Sequence, residues 1–142
     1  MSYTSIDVYQ KALGFIGELN DPMGNPDYES RAPYLLASFC STAKSLDKRL
    51  RSINGLEAAP SFSPIYVSLM EYFPLCDELI HPAALYVASM LIVEDDSELS
   101  STLYDQYCDS IATIAASIGS VSSPVAESPA VCESIVEKYF NY

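Results

Sequence analysis

The stretch Cys76–Gly119, CDELIHPAALYVASMLIVEDDSELSSTLYDQYCDSIATIAASIG, decides the fold. Pro82 has a fixed φ that suits the first turn of a helix, where its missing N–H is not needed. The run from Ala83 to Val93 is apolar on nearly every side, which predicts a central helix with neighbours on more than one face. This run is too short to cross a bilayer, which needs roughly 20 apolar residues.

An acidic corner follows the apolar run. Glu94, Asp95 and Asp96 end it, and Asp96 or Ser97 is a natural N-cap for a further helix. Glu98 then lies in the first turn, where the helix dipole favours negative charge. The pattern predicts a tight turn between two antiparallel helices.

The helix after the corner is marked by one apolar stripe. Gly119 stands where a left-handed residue commonly ends a helix, so we expect the helix to stop there. The stripe recurs at steps of three or four and contains Leu99, Leu103, Tyr107, Ile111, Ile114 and Ile118.

The N-terminal part predicts a first helix and a loop. Thr4 or Ser5 can cap a helix that runs to about Leu19, with Gly17 inside it. The stretch Asn20–Pro26, NDPMGNP, is dense in turn formers and is expected to be a loop.

A long second helix is expected to start between Asp27 and Pro33 and to end at about Ile53. Ser30 is the predicted N-cap, with Pro33 in the first turn; otherwise Pro33 marks a kink. The buried stripe consists of Leu35 or Leu36, Phe39, Ala43, Leu46, Leu50 and Ile53.

The connection Glu57–Pro74 is long for a compact domain, so it is either functional or packed by its own aromatic residues. Within it, Ile65–Phe73 could form one or two turns of helix, and Leu75–Ile80 could form a separate turn. The aromatic residues that favour packing are Phe62, Tyr66, Tyr72 and Phe73.

The C-terminal part divides into a linker and an apolar segment. We expect a helical domain over residues 1–119 and a tail over residues 120–142 that begins with a Ser/Pro-rich linker. The segment Val131–Tyr142 is short for an isolated helix, which is marginal below ~12–15 residues. Its apolar side chains favour docking onto its own bundle or onto a neighbour, and the sequence leaves both open. They include Ile135, Tyr139 and Phe140.

Composition bounds the function. At 142 residues with 49% hydrophobic content, the chain fits one folded domain. The N-terminus lacks the pattern of a secretory signal, which predicts a cytoplasmic product.

A net charge of −12 disfavours binding to nucleic-acid phosphates and to anionic membranes, but suits a surface along which DNA slides. Four of the seven basic residues gather near the end of the second helix, namely Lys44, Lys48, Arg49 and Arg51.

The four cysteines are expected to be buried and reduced. Cys40, Cys76, Cys108 and Cys132 are widely spaced and lack the Cys-x-x-Cys pairing of a zinc site. Two disulfides remain the alternative.

No pattern indicates catalysis. The spacing from Glu78 to His81 matches a Glu-x-x-His motif, but di-iron bundles need two such motifs and His81 is the only histidine. The cluster from Glu94 to Glu98 lacks the alternating ligands and central glycine of a calcium loop. We therefore expect no enzyme activity, no cofactor and no metal, with an enzyme built on His81 as a remote third hypothesis.

Three segments together resemble the small head–tail connector proteins, also called head-completion or adaptor proteins, of tailed bacteriophages and prophages. They are TSIDVYQKALGFIG (residues 4–17), DYESRAPYLLASFCSTAKSLDKRLR (27–51) and HPAALYVASMLIVEDDSELSSTLYDQYCDSI (81–111). The resemblance covers about residues 4–115 and implies an all-α bundle that forms a homo-oligomeric ring beneath the portal. Such a ring extends the DNA channel without sequence-specific binding.

The resemblance also implies partners and locations. The portal and a tail or stopper protein would be the partners, with no membrane involved. The protein would lie at the head–tail junction of the virion, or in the host cytoplasm when expressed from a prophage. Ring contacts are expected on the faces of Arg31–Ile53 and Pro82–Val93. The candidate interface residues are Glu94, Asp95, Asp96, Tyr66, Tyr72, Ile135, Tyr139 and Phe140.

The alternative is a cytoplasmic helical binding or regulatory module. In that case the Glu57–Pro74 connection or the tail would capture one protein partner.

Overall fold

The computed structural model describes residues 2–18 and 25–122, the last four by their backbone alone, and over these residues the chain is all-α. The predicted helical bundle is confirmed. Its elements are α1 (Ser5–Phe15), α2 (Pro26–Ile53), a 3-10 turn (Asp77–Leu79), α3 (Ile80–Ile92) and α4 (Ser97–Ser122).

Helix α3 is the centre of the bundle, as its apolar sequence predicts. It packs against α1, α2 and α4. Ala83, Ala84 and Ala88 have no exposed surface, because their small side chains let the neighbouring helices approach closely. The Ser100 hydroxyl on α4 donates to the Ser89 carbonyl on α3 at 2.8 Å, which satisfies a polar group inside this contact.

The acidic corner caps α4 as predicted. The Asp96 carboxylate accepts a hydrogen bond from the Leu99 backbone N–H at 3.0 Å, the geometry of an N-cap. The Asp95 N–H donates to the Ile92 carbonyl at 3.0 Å and closes the turn. Residues 93–96 thus reverse the chain between α3 and α4.

The predicted end of α4 at Gly119 is wrong, since the helix continues to Ser122. A glycine inside a helix costs about 1 kcal/mol relative to alanine. Burial of Ile118 in the core helps to offset that cost and keeps the last turns helical. The division proposed after residue 119 therefore falls within α4, and residues 123–142 lie outside the described part.

Helix α1 starts at the predicted cap but ends early. The Asp7 N–H donates to the Thr4 hydroxyl, and the Thr4 N–H donates back to the Asp7 carboxylate, forming a capping box. The helix ends at Phe15, short of the predicted Leu19. Gly17 lies outside the helix, because its φ of +78° is left-handed and favours a glycine.

Helix α2 begins earlier than predicted. The Asn25 side chain accepts from the Tyr28 N–H at 2.8 Å and is the N-cap, with Pro26 at the first position. Ser30 is not the cap; its hydroxyl donates to the Asp27 carbonyl at 3.0 Å. The sequence around Asn20–Pro26 was expected to be a loop, but Pro26 is helical, and residues 19–24 lie outside the described part.

Pro33 is buried inside α2 and not in its first turn. A proline in a helix interior removes one backbone hydrogen bond of the helix. Here the Pro33 carbonyl accepts from the Val67 N–H at 3.1 Å, so this part of α2 is tied to the chain that follows the helix. The end of α2 at Ile53 agrees with prediction, although the Ile53 side chain is exposed.

The described cysteines are buried, reduced thiols. Burial raises the pKa of Cys40 far above its ordinary value. Burial, and next the hydrogen bond to Asp47, raise the pKa of the Cys76 thiol to about 12. Cys108 is also a buried, reduced thiol, and Cys132 lies outside the described residues.

Because the thiol pKa values of Cys40 and Cys76 are raised in the folded chain, we expect the protein to lose stability at alkaline pH. In the unfolded chain a thiol loses its proton near pH ~8.5, whereas the folded chain keeps it. Above that pH the unfolded state binds fewer protons, so the free energy of unfolding falls by up to about 1.4 kcal/mol per pH unit and thiol. Urea midpoints measured between pH 7 and 10.5 should fall above pH 9. Cys76→Ala should make the fall shallower, and a constant midpoint would contradict the prediction.

Candidate protein interface on the aromatic loop

Residues 57–74, here named the aromatic loop, contain no helix, so the predicted helical turns within Ile65–Phe73 are wrong. Their backbone groups bond instead to the start of α1. The Ser5 N–H donates to the Glu71 carbonyl, and the Phe73 N–H donates to the Tyr3 carbonyl, both at 2.8 Å. These bonds replace the local bonds that a helix would need.

Two further backbone bonds fix the middle of the aromatic loop. The Ile6 N–H donates to the Leu69 carbonyl at 3.0 Å. The Val67 N–H donates to the Pro33 carbonyl on α2 at 3.1 Å. The middle of the loop is therefore held between α1 and α2. The separate turn expected between Leu75 and Ile80 is present as the 3-10 turn.

A buried ion pair closes the two ends of the aromatic loop. The Arg51 guanidinium contacts the Asp47 carboxylate at 2.9 Å, and it donates to the carbonyls of Glu57 and Pro74 at 3.0 and 3.2 Å. The second oxygen of Asp47 accepts from the Cys76 N–H at 2.7 Å. We call this arrangement the Asp47–Arg51 clasp. It satisfies three backbone groups at once, as a buried charge requires.

Some side chains of the aromatic loop face the core and others face the solvent. Val67, Leu69 and Phe73 are buried, whereas Met70 is 83% exposed and Tyr72 is 69% exposed. Clustered exposed apolar side chains mark interaction surfaces in soluble proteins. We name four of these exposed side chains the apolar edge: Ile65, Tyr66, Met70 and Tyr72.

A groove of about 460 Å³ runs beside the apolar edge, lined among others by Phe62, Tyr66 and Tyr72. The Lys44 ammonium on α2 lies 5.9 Å from the centre of the Phe62 ring. The Tyr34 ring on α2 packs edge-on against Tyr66, with ring centres 5.1 Å apart. The lining of the groove is thus mainly aromatic and apolar but also contains the Glu71 carboxylate, and the Lys44 ammonium lies against the Phe62 ring.

The structure brings together some of the predicted interface residues. Tyr66 and Tyr72 both lie on the apolar edge. Ile65 and Met70 are equally prominent there, and sequence reasoning missed both. Their signal is an apolar side chain in a segment flanked by prolines, within a connection that the sequence left as either functional or packed by its aromatic residues.

The acidic corner is a separate region. The Tyr28 hydroxyl at the start of α2 donates to the Asp95 carboxylate at 2.7 Å, so Asp95 already has a partner in its own chain. Burial, and next this hydrogen bond, raise the pKa of Tyr28 to about 12. Asp96 caps α4, and Glu94 is exposed. The tail residues Ile135, Tyr139 and Phe140 lie outside the described residues.

The expected ring contact through the face of Pro82–Val93 needs correction. Residues 82–89, 91 and 92 are buried against the rest of the chain, so they are not available to a second subunit. Only the end of this segment, Val93, is exposed, at 46%. Apart from Val93, the apolar side chains of this run therefore pack in the core of their own chain or close to it.

His81 is exposed on one side and packs edge-on against Phe15, with ring centres 5.8 Å apart. Partial burial, and next the charge of Lys11, lower its pKa. Within residues 2–18 and 25–122, no group of three or more His, Cys, Asp or Glu side chains could hold a metal ion.

None of the helices in the described part is both long and apolar enough to cross a bilayer. Comparisons of the sequence with protein-family models and with curated proteins, and of the fold with solved structures, found no match.

Proposed function

We propose that this chain is a structural assembly protein that docks through the apolar edge, and that it serves as a head–tail connector subunit of a tailed phage or prophage. The proposal that the chain docks to another protein rests on a single observation, the apolar edge. The proposal that it is a connector subunit rests in addition on the sequence resemblance over about residues 4–115. In this role the subunits form a ring below the portal, through which DNA passes.

Rigidity makes the apolar edge suitable for docking. Binding costs less when the interacting surface is already ordered. Backbone bonds to Ser5, Ile6 and Pro33 hold the aromatic loop, and the Asp47–Arg51 clasp closes it. Its exposed residues are tyrosine, methionine and isoleucine; aromatic residues and methionine are enriched in protein interfaces.

Charge is compatible with a DNA channel. The chain has 19 acidic and 7 basic residues, and an acidic surface repels the phosphate backbone. A channel wall has to let DNA move without retaining it. The exposed carboxylates of Glu94 and Asp105 would be available for such a wall.

One observation favours the alternative, a binding module for a single partner. A closed ring needs two different complementary surfaces on each subunit. In the described part of the chain, most exposed apolar side chains lie on or beside the aromatic loop, and they include Tyr3, Tyr34 and Met70. A single apolar region would suit one partner bound in a one-to-one complex.

Self-association tests the docking surface. Native mass spectrometry at rising protein concentration should give oligomers of the wild-type chain. Met70→Asp should weaken association about 10-fold or more, because a buried methionine side chain contributes ~1.5–3 kcal/mol. Gln106→Asp, which adds the same charge at an exposed position on α4, should have no such effect.

Two outcomes would count against the proposal in different ways. Oligomers that Met70→Asp leaves unchanged would show that the apolar edge is not the docking surface. Neighbouring genes without portal, capsid or tail proteins would contradict the connector role, whereas a one-to-one complex with one partner would support the binding module.

A further inference from the structure

We propose that the C-terminal segment of the same chain, residues 131–142, docks in the groove beside the apolar edge. The inference rests on three observations: the shape and chemistry of the groove, the pattern of the segment, and the place where α4 ends. The contact itself does not depend on the connector role.

The groove suits an occupant that is mainly apolar, and its charged neighbours are the Glu71 carboxylate in the lining and the Lys44 ammonium beside Phe62. Phe62, Tyr66 and Tyr72 line it, and Lys44 lies above the Phe62 ring. Lys48 and Arg49 follow on the same part of α2 and are exposed. Lys44, Lys48 and Arg49 are therefore three exposed cations on one part of α2, whereas Arg51 on the same helix is already held by Asp47.

The segment VCESIVEKYFNY, residues 131–142, has the matching pattern. At 100° per residue its apolar side chains fall on one half of a helix, and Glu133 and Glu137 lie together beside that half. Twelve residues are marginal as an isolated helix, so a surface to pack on would stabilise it. The apolar half consists of Val131, Cys132, Ile135, Val136, Tyr139 and Phe140.

The direction of the helices places the end of α4, after which the segment follows, at the same end of the bundle as the end of α2. Arg31 near the start of α2 donates to the Leu91 carbonyl near the end of α3, and Asn54 after α2 contacts Glu78 before α3. Helix α2 is therefore antiparallel to α3. Because the tight turn also makes α4 antiparallel to α3, α4 ends on the side where α2 ends, and there Arg51 closes the aromatic loop.

A short connection favours docking within one chain. Residues 123–130 separate the end of α4 from the segment, and eight residues reach at most about 26–29 Å. A short tether gives an effective concentration in the millimolar range, above that of other copies in dilute solution. For any site within this reach of the end of α4, a contact within the same chain is favoured over a contact with another copy.

Photo-crosslinking of the full chain tests this contact. Met70 is replaced by p-benzoylphenylalanine, a substitution that its exposure tolerates, in an equimolar mixture of natural and ¹⁵N-labelled copies. After irradiation, position 70 should crosslink to a peptide within residues 131–142 of the same isotope. Asp105→p-benzoylphenylalanine, on an exposed part of α4, should not give this product.

Two variants test the chemistry of the contact, with circular dichroism verifying that each remains folded. Ile135→Asp should lower the yield about 10-fold by placing a charge in the apolar half. Lys48→Glu combined with Arg49→Glu should lower it about 2- to 5-fold through lost charge pairing. Crosslinks between different isotopes, or to peptides outside residues 131–142, would overturn the inference.

Docking of the segment would regulate self-association, and this consequence rests on the proposed function. A docked segment covers the apolar edge, so a partner has to displace it. Ile135→Asp should then strengthen self-association in native mass spectrometry, whereas Met70→Asp weakens it. A crosslink within one chain, found without any self-association, would support docking of the segment in the groove but would contradict the proposed assembly role.

Discussion

Asp47→Ala is expected to lower the free energy of unfolding by about 3–5 kcal/mol, the usual cost of removing one partner from a buried ion pair. The side chain of Asp47 is 2% exposed, and its carboxylate serves both the Arg51 guanidinium at 2.9 Å and the Cys76 N–H at 2.7 Å. Without it, a largely buried positive charge and a buried N–H lose their acceptor. Urea unfolding of the full chain, followed by far-UV circular dichroism, measures the loss.

Asp27→Ala is the matched control. Asp27 and Arg31 form an ion pair at 3.0 Å with the same spacing of four residues on the same helix, but the side chain of Asp27 is 68% exposed. Water replaces the carboxylate at such a site, so the expected loss is about 0.5 kcal/mol or less. Similar losses in the two variants would show that the clasp does not hold the aromatic loop.

The clasp connects stability to the proposed interface. Arg51 donates to carbonyls at both ends of the aromatic loop, so Asp47→Ala should also loosen the segment that carries Met70 and Tyr72. Hydrogen exchange of the Val67 and Phe73 amides, both bonded to other parts of the chain, should then become faster.

The helices were predictable because periodicity and caps act locally. The stripe that includes Leu103, Tyr107 and Ile111 is buried in α4, and Asp96 caps that helix through its own backbone neighbours. Such signals need no knowledge of the rest of the fold. Gly119 misled the prediction because a glycine is only a weak local stop signal, and the helix continues past it next to the buried Ile118.

The clasp was not predictable for the opposite reason. Asp47 follows Leu46 in a region dense in charged residues, so an exposed side chain was the natural expectation. Its burial depends on Cys76, 29 positions later, and on the carbonyls of the aromatic loop. Likewise, the bond from the Val67 N–H to the Pro33 carbonyl joins positions far apart in the sequence. Neither contact can be inferred from local sequence.

The candidate interface lies between these two cases. The length and aromatic content of the connection directed attention to Tyr66 and Tyr72, and both side chains are exposed in the structure. Which of its apolar side chains face solvent depends on backbone bonds to α1, and these cannot be inferred from spacing alone. Met70, the most exposed member of the apolar edge, became visible only in the structure.

Phe39→Ala should also cost about 3–5 kcal/mol, because truncating a buried phenylalanine leaves a cavity. Phe39 is fully buried, and its ring centre lies 6.1 Å from those of Tyr86 and Tyr107. These three rings come from α2, α3 and α4, so they join the three helices at one point. The chain has no tryptophan, so near-UV circular dichroism reports tyrosine packing and should weaken together with the urea midpoint.

Tyr34→Ala is the comparison on the same helix. It removes an aromatic ring of similar size that is 55% exposed, so we expect a loss of about 1 kcal/mol or less. A Phe39→Leu variant refills part of the cavity and should recover part of the lost stability. Equal losses for Phe39→Ala and Tyr34→Ala would mean that this aromatic cluster does not hold α2 against α3 and α4, and that the bundle depends mainly on the contact between α3 and α4.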